Sequence, residues 1–278
     1  MSRRDRLAAL TAANSDELVR AFSLPANPLT RALLWPPARR FAHQVQHLDD
    51  LVQAAGLPTG ARWALHTFTR RVTTIGRERI PADGPLLALA NHPGLTDVMA
   101  LVLALESRGD LRIVALDRPV LHALPAIAER LLWVDDDNRV ALVRRARAHL
   151  RSGGALLTFP AGSIEADPSV RPSAQGLARW SPSVSALTRG IEGLRLVPLA
   201  VSGVISRTAL ASPAVRWIDD PADREYAAAA LQVLFRRYRD TDTRVLVGEP
   251  FDPGPQVVAE LRRRMAGLLT ASAGRAAH

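Results

Sequence analysis

Between positions 91 and 97 the chain reads Asn-His-Pro-Gly-Leu-Thr-Asp, and two of these side chains, His92 and Asp97, form a pair able to move a proton. An imidazole can take a proton from an attacking hydroxyl near neutral pH. A carboxylate on its other ring nitrogen fixes the tautomer and stabilises the imidazolium that forms. Two of the three parts of a hydroxyl-activating relay therefore lie in one short segment, and the third would be the substrate. A plainer reading fits the same residue types, in which Thr96 or Asp97 caps a helix and His92 is a satisfied turn residue.

The neighbouring elements determine whether the pair can meet. Residues 86–90 are an unbroken apolar run of strand length, 97–105 have helical character, and Pro93-Gly94 supplies the turn between them. The same alternation continues along the chain. Runs 111–116, 131–134, 155–159, 194–201 and 244–247 read as buried strands, and 120–130, 139–150, 222–239 and 256–269 as helices. This is the pattern of a single α/β domain with a mixed, largely parallel sheet flanked by helices. Ligands of such sheets bind where strands end, which is where His92 falls. The longest candidate loop, 160–182, also follows a strand directly.

Residues 1–71 read as an N-terminal extension of short helices, broken at Pro25, Pro28, Pro36-Pro37 and Gly56-Leu-Pro58, and 72–278 as the domain that carries the chemistry. Leu33-Leu34-Trp35 among Arg31, Arg39 and Arg40, and Trp63, Leu65 and Phe68 among Arg62, Arg70 and Arg71, combine apolar anchors with cations. Such stretches suit a helix lying in a membrane interface, and equally a helical pair packed on the main domain.

Charge and composition narrow the partners. The net charge is +9, carried by Arg with no Lys, which favours an acidic partner such as anionic lipid. Nucleic acid is not expected, because no aromatic-rich basic motif of a known binding module is present. Cys is absent, which removes disulfides and thiolate nucleophiles. No secretory signal and no spanning apolar stretch is evident, so the expected location is cytoplasmic, at the inner face of the membrane and peripherally bound. No metal site is expected: His43 and His47 have the spacing of a ligand pair but no third partner. Gly153-Gly154 fits no nucleotide-binding pattern, and there is no nucleophile elbow of a serine hydrolase.

From about Val72 to Asp252 the chain resembles the glycerolipid acyltransferases, the family of lysophosphatidic acid acyltransferase. Asn91-His92 with Asp97 matches the family's N-H-x-x-x-x-D motif, after a lead-in at 75–85. Asp135-Asp-Asp-Asn-Arg139 loosely resembles its second motif. Arg151-Ser-Gly-Gly-Ala-Leu-Leu-Thr-Phe-Pro-Ala-Gly-Ser163 resembles the third, usually F-P-E-G-T-R, and Val197-Pro-Leu-Ala-Val-Ser-Gly203 the fourth. Ala161 stands where the third motif usually has Glu, and Ile164 where it usually has Arg.

The resemblance implies transfer of a fatty acyl group from acyl-CoA or acyl-carrier protein to a hydroxyl of a lipid or lysolipid, with His92 as base, Asp97 orienting it and no cofactor. Gly162 and Ser163 are the candidate oxyanion donors. Arg139 and Arg171, with Arg179 behind them, are candidates for an acceptor phosphate, and Glu165 for the missing carboxylate. Alternatives of the same fold are a non-glycerolipid acceptor, such as an amino-acid-derived lipid or a glycolipid, and a lipid-binding protein without turnover.

Overall fold

The protein is described by a computed structural model covering residues 1–134 and 139–274. Internal contacts divide the chain into two units, one of residues 1–70, 118–129 and 205–241, the other of 71–117, 130–204 and 242–278. The helical stretch at the N-terminus is thus one part of a unit that also takes in two later segments.

The second unit is built on a seven-stranded sheet. Its strands are β1 (Arg71–Ile75), β2 (Leu86–Ala90), β3 (Arg112–Leu116), β4 (Leu131–Val134), β5 (Ala155–Thr158), β6 (Arg195–Ser202) and β7 (Asp242–Val247), in the order β1-β7-β6-β2-β5-β3-β4. From β6 to β4 every pairing is parallel, β7 runs antiparallel to β6, and β1 lies parallel to β7. The sheet is therefore mixed and largely parallel, as the alternation of elements predicts. Its central strands β2 and β5 are buried at every position, which is why they read as continuous apolar runs rather than alternating ones. Leu87, Leu156, Leu196 and Trp180 share one core with Leu261 and Met265 of the helix Val257–Gly274.

Strand β1 is not foreseen by the apolar pattern. It is an edge strand whose Arg-Val-Thr-Thr-Ile sequence alternates between exposed and half-buried positions, so it has no apolar run to mark it. Below the sheet's amino ends, the buried guanidinium of Arg108 binds both carboxylate oxygens of Asp110 (3.0 and 2.7 Å) and the carbonyls of Pro81, Gly84 and Gly153. Asp110 in turn accepts from the N–H of Ala155 at the start of β5 (3.1 Å). One cation thus satisfies three carbonyls from two connections, those that lead into β2 and β5.

The first unit is helical, with helices Arg3–Ala21, Pro28–Ala55, Leu57–Phe68 and Pro221–Leu234. Ser2 and Asp5 form a capping box, and Asn27 caps the second helix with Pro28 in its first turn. Pro36-Pro37 does not break that helix, contrary to the expectation from sequence. The two carbonyls that lose their donors belong to Ala32 and Leu33, on an exposed stretch where water can take the bonds. The expected helix at 120–130 is two short turns, Pro119–His122 and Pro125–Ala128, because Pro125 forces Leu124 out of helical geometry (φ −121°, ψ 74°). The expected helix at 222–239 ends at Leu234, where the Arg239 guanidinium takes the carbonyls of Gln232 and Val233 (both 2.9 Å).

The second of the two apolar and cationic stretches is core. Leu65 and Phe68 are buried, Phe68 meets Phe41 edge-on at 5.8 Å, and Arg239 stacks on the Phe68 ring at 4.6 Å. The first differs: Leu29 and Leu33 are 80% and 75% exposed, with Trp35 also exposed. Among the described residues no helix is long and apolar enough to cross a membrane.

Candidate active site

Strand β2 delivers the segment 91–97 to the carboxyl end of the sheet, between β5 and β6. Asn91 is fully buried and continues the ladder with its side chain: its Nδ2 donates to the Val201 carbonyl (2.9 Å) and its Oδ1 accepts from the Val201 N–H (2.7 Å). The amide of the side chain stands in for a backbone peptide. This fixes the direction in which the chain leaves the sheet.

The turn that follows is tight and partly strained. Gly94 has φ +91° and Leu95 φ +51°, so two consecutive residues are left-handed, the second without the freedom of glycine. A Cβ on Gly94 would also lie 3.3 Å from the side chain of Ile164. This turn brings the Asp97 carboxylate back toward the start of the segment, where Oδ2 accepts from the Gly94 N–H (2.8 Å) and Oδ1 from the Val98 N–H (2.6 Å).

Asp97 Oδ2 also meets His92 Nδ1 at 2.7 Å, with the carboxylate side chain 1% exposed and the imidazole 26% exposed. Because the carboxylate only accepts, as it does from the two amide donors, the ring must present an N–H at Nδ1. The lone pair then sits on Nε2, which has no hydrogen-bond partner among the described residues. The Phe159 ring packs on the imidazole at 4.4 Å between centroids, tilted by 30°. Burial, the largest influence on the imidazole pKa, pushes it down. The charge and hydrogen bond of Asp97, with the charge of Glu165, outweigh it and hold the pKa above its ordinary value.

Glu165 is 5% exposed and turned inward. Its Oε2 accepts from the His92 N–H (3.1 Å), its own N–H donates to the His92 carbonyl (2.8 Å), and its Oε1 accepts from the Trp180 indole N–H (2.9 Å). Burial pushes its pKa up, against the opposing pull of these donors, His92 and Arg179. Its carboxylate is therefore engaged within the protein, on the backbone of His92 and on Trp180.

The other residues singled out from sequence are dispersed. Gly162 lies in the turn after β5, where its N–H donates to the Phe159 carbonyl (3.0 Å), so that donor is already used. Ser163 beside it is exposed. Arg171 is half-buried in the turn after Asp167, its N–H on the Asp167 carbonyl (3.1 Å). Arg139 begins the helix Arg139–Arg151; the segment 135–138 and the Arg139 side chain lie outside the described residues. His43 and His47 are both exposed, and among the described residues no group of three or more His, Asp or Glu side chains gathers that could hold a metal.

Two residues escaped the sequence reading. Asp167, fully buried, accepts from the N–H groups of Ser169 and Gly203 (both 2.9 Å) and Val204 (2.7 Å), tying the 160–182 loop to the end of β6. The Asp-Pro-Ser turn signal at 167–169 was available to mark it. Trp180, 1% exposed, is the lone aromatic of that loop and its anchor in the core. Its carbonyl and that of Ala178 accept from Arg262 (2.6 and 3.1 Å).

Residues 71–202, from the first residue of β1 to the last of β6, match the acyltransferase family model. The chain carries a domain of the acyltransferase family. This acyltransferase domain contains the His92–Asp97 pair, Glu165 and the loop that holds it, while β7 and the helix Val257–Gly274 lie beyond the matched residues. Among solved structures, the 1-acyl-sn-glycerophosphate (LPA) acyltransferase PlsC from Thermotoga maritima is similar, at 17% identity over 99% of this chain and 97% of that one, with a TM-score of 0.44. No curated protein matches the chain in sequence.

Proposed function

We propose that this acyltransferase moves a fatty acyl group from a thioester, acyl-CoA or acyl-carrier protein, to a hydroxyl of a lipid or lysolipid, with His92 as general base and Asp97 as the carboxylate that orients it. The observation that carries this reading is the 2.7 Å contact between Nδ1 and Oδ2, which leaves the ring with a lone pair on Nε2 that has no partner among the described residues. In the reaction, Nε2 takes the acceptor's hydroxyl proton as the oxygen bonds to the thioester carbon. The tetrahedral intermediate then collapses, the C–S bond breaks, and the proton passes from Nε2 to the departing sulfur, leaving an ester and a free thiol. The Asp97 charge stabilises the imidazolium between the two steps. With the Gly162 N–H already used, the N–H of Ser163, an exposed residue, is the remaining oxyanion donor of the pair named from sequence.

The exposed Leu29, Leu33 and Trp35, with Arg39 and Arg40 on the same helix, support peripheral association with an anionic membrane surface. A glycerolipid or lysolipid acceptor fits that location. Ile164, 55% exposed and packed near Gly94, favours a second reading, because an apolar side chain beside the His92 turn offers nothing to a phosphate. In that reading the acceptor is a non-glycerolipid hydroxyl, as in an amino-acid-derived lipid or a glycolipid.

The test is product analysis with a radiolabelled acyl-CoA, or the same chain on acyl-carrier protein, against a panel of lysophospholipids, glycolipids and amino-acid-derived lipids. Labelled ester that forms with the wild type and not with His92→Ala supports the proposal, and the acceptor that takes label chooses between the readings. Label that moves equally well with both proteins refutes His92 as the base.

A further inference from the structure

The mechanism above uses His92 and Asp97 and leaves a second buried carboxylate unexplained. Both backbone polar groups of His92 end on the same residue: the N–H on Glu165 Oε2 at 3.1 Å and the carbonyl on the Glu165 N–H at 2.8 Å. We propose that Glu165 is a positioning residue for His92, clamping the histidine backbone and standing beside the imidazole as a second fixed negative charge. This rests on the reading of His92 as general base.

Three observations favour this over a simple loop anchor. First, the carboxylate receives two converging donors, the His92 amide and the Trp180 indole. Only a group with two acceptor oxygens and no donor satisfies both, so a neutral glutamine does not replace it. Second, a carboxylate that is 5% exposed is costly to bury, and the loop is already anchored without it, by the Ser181 N–H on the Pro160 carbonyl (2.9 Å) and by the Asp167 bonds to Gly203 and Val204. Third, the clamp is rigid at both ends. Trp180 is fixed in the core, and Asn91, next to His92, is fixed to Val201.

The ring is thus held by Asp97 and the backbone beneath it by Glu165, so the direction of Nε2 follows from two independent grips. The charged groups acting on the pair are Asp97 and Glu165 on the imidazole and Arg179 on Glu165. With both carboxylates ionised, proton transfer to Nε2 is stabilised by two negative charges.

The experiment compares wild type with Glu165→Gln and Trp180→Phe, recording melting temperature, kcat, KM and the titration of the His92 imidazole by NMR, its signal assigned by its loss in His92→Ala. Gln removes the charge and turns an NH2 toward one of the two donors. Glu165→Gln should lower kcat about 10- to 100-fold, since a small misplacement of the base is costly, while KM for both substrates stays within about twofold. Its His92 titration should shift to lower pH. Trp180→Phe keeps the charge and the ring bulk and loses only the indole donor, so kcat should fall several-fold without that downward shift. A folded Glu165→Gln protein with wild-type kcat and wild-type His92 titration overturns the proposal. If Glu165→Gln does not fold, a folded Trp180→Phe protein with wild-type kcat does so instead. A wild type that transfers no acyl group, but whose His92 titration still depends on Glu165, refutes the general-base reading while leaving the contact intact.

Discussion

Asn91 and Val201 pair as two strands pair, although one partner is a side chain: the amide donates at 2.9 Å and accepts at 2.7 Å. This arrangement extends the β2–β6 ladder past Ala90 and sets the position from which His92 departs. Asn91→Ala leaves the buried N–H and carbonyl of Val201 without partners, at a cost of about 2–4 kcal/mol in unfolding free energy. Chemical denaturation measures that loss, and turnover should fall with it, because the base is no longer aimed.

Asp97→Asn keeps the shape of the turn and reverses its chemistry. Asp97 takes three N–H donors on two oxygens, and an amide has only one oxygen: with that oxygen kept on the Val98 N–H, the NH2 faces His92 Nδ1, so the imidazole adopts the tautomer with its proton on Nε2. By analogy with triads in which the orienting carboxylate is replaced, kcat should drop about 10³- to 10⁴-fold with KM little changed. Steady-state kinetics with saturating donor provides the check.

The pH dependence follows from the direction of the imidazole shift. His92 acts as a base only when neutral, and its pKa is held above the ordinary value because Asp97 and Glu165 outweigh burial. The acid limb of kcat/KM should therefore have an apparent pKa above about 6.5, that of a free imidazole. The linked stability has the opposite preference. A raised histidine pKa favours folding fully below about 6.5, and that increment fades as pH rises through the raised value.

Gly94→Ala tests the turn itself. With φ at +91° and Ile164 3.3 Å from the added methyl, the variant should lose about 1–2 kcal/mol of stability and most of its activity. Thermal melting and turnover together separate this from a general loss of fold.

Arg108→Ala serves as the contrast, since Arg108 organises the amino ends of the strands. Its hydrogen bond is the largest influence on the Asp110 pKa and, with the lesser help of its charge, holds it below the ordinary value against burial. That contribution is present above the ordinary carboxylate range and is lost as pH falls through the lowered value. Removing the guanidinium should cost at least about 2 kcal/mol at neutral pH, with kcat of the folded protein unchanged. A loss of kcat in the folded variant at a permissive temperature would contradict this separation of scaffold from site.

Much of the sheet was legible because its central strands are apolar on both faces, so Leu86–Ala90 and Ala155–Thr158 stand out as continuous runs. The edge strand β1 was not, since its alternating exposure leaves no run to see. Pro36-Pro37 misled because the penalty of proline in a helix depends on whether the freed carbonyls meet water, which is a tertiary fact. His92 and Asp97 could be paired from sequence because a single turn joins them. Glu165 could be suspected but not placed: its partners His92 and Trp180 lie 73 and 15 residues away, and only the folded chain brings all three together.

The most direct test of the central claim is release of free thiol from palmitoyl-CoA by purified protein, with anionic vesicles and a mixed lysolipid extract, comparing wild type with His92→Ala. The wild type should release thiol in a lysolipid-dependent manner, and the variant should release none. Release by His92→Ala at the wild-type rate would contradict the claim.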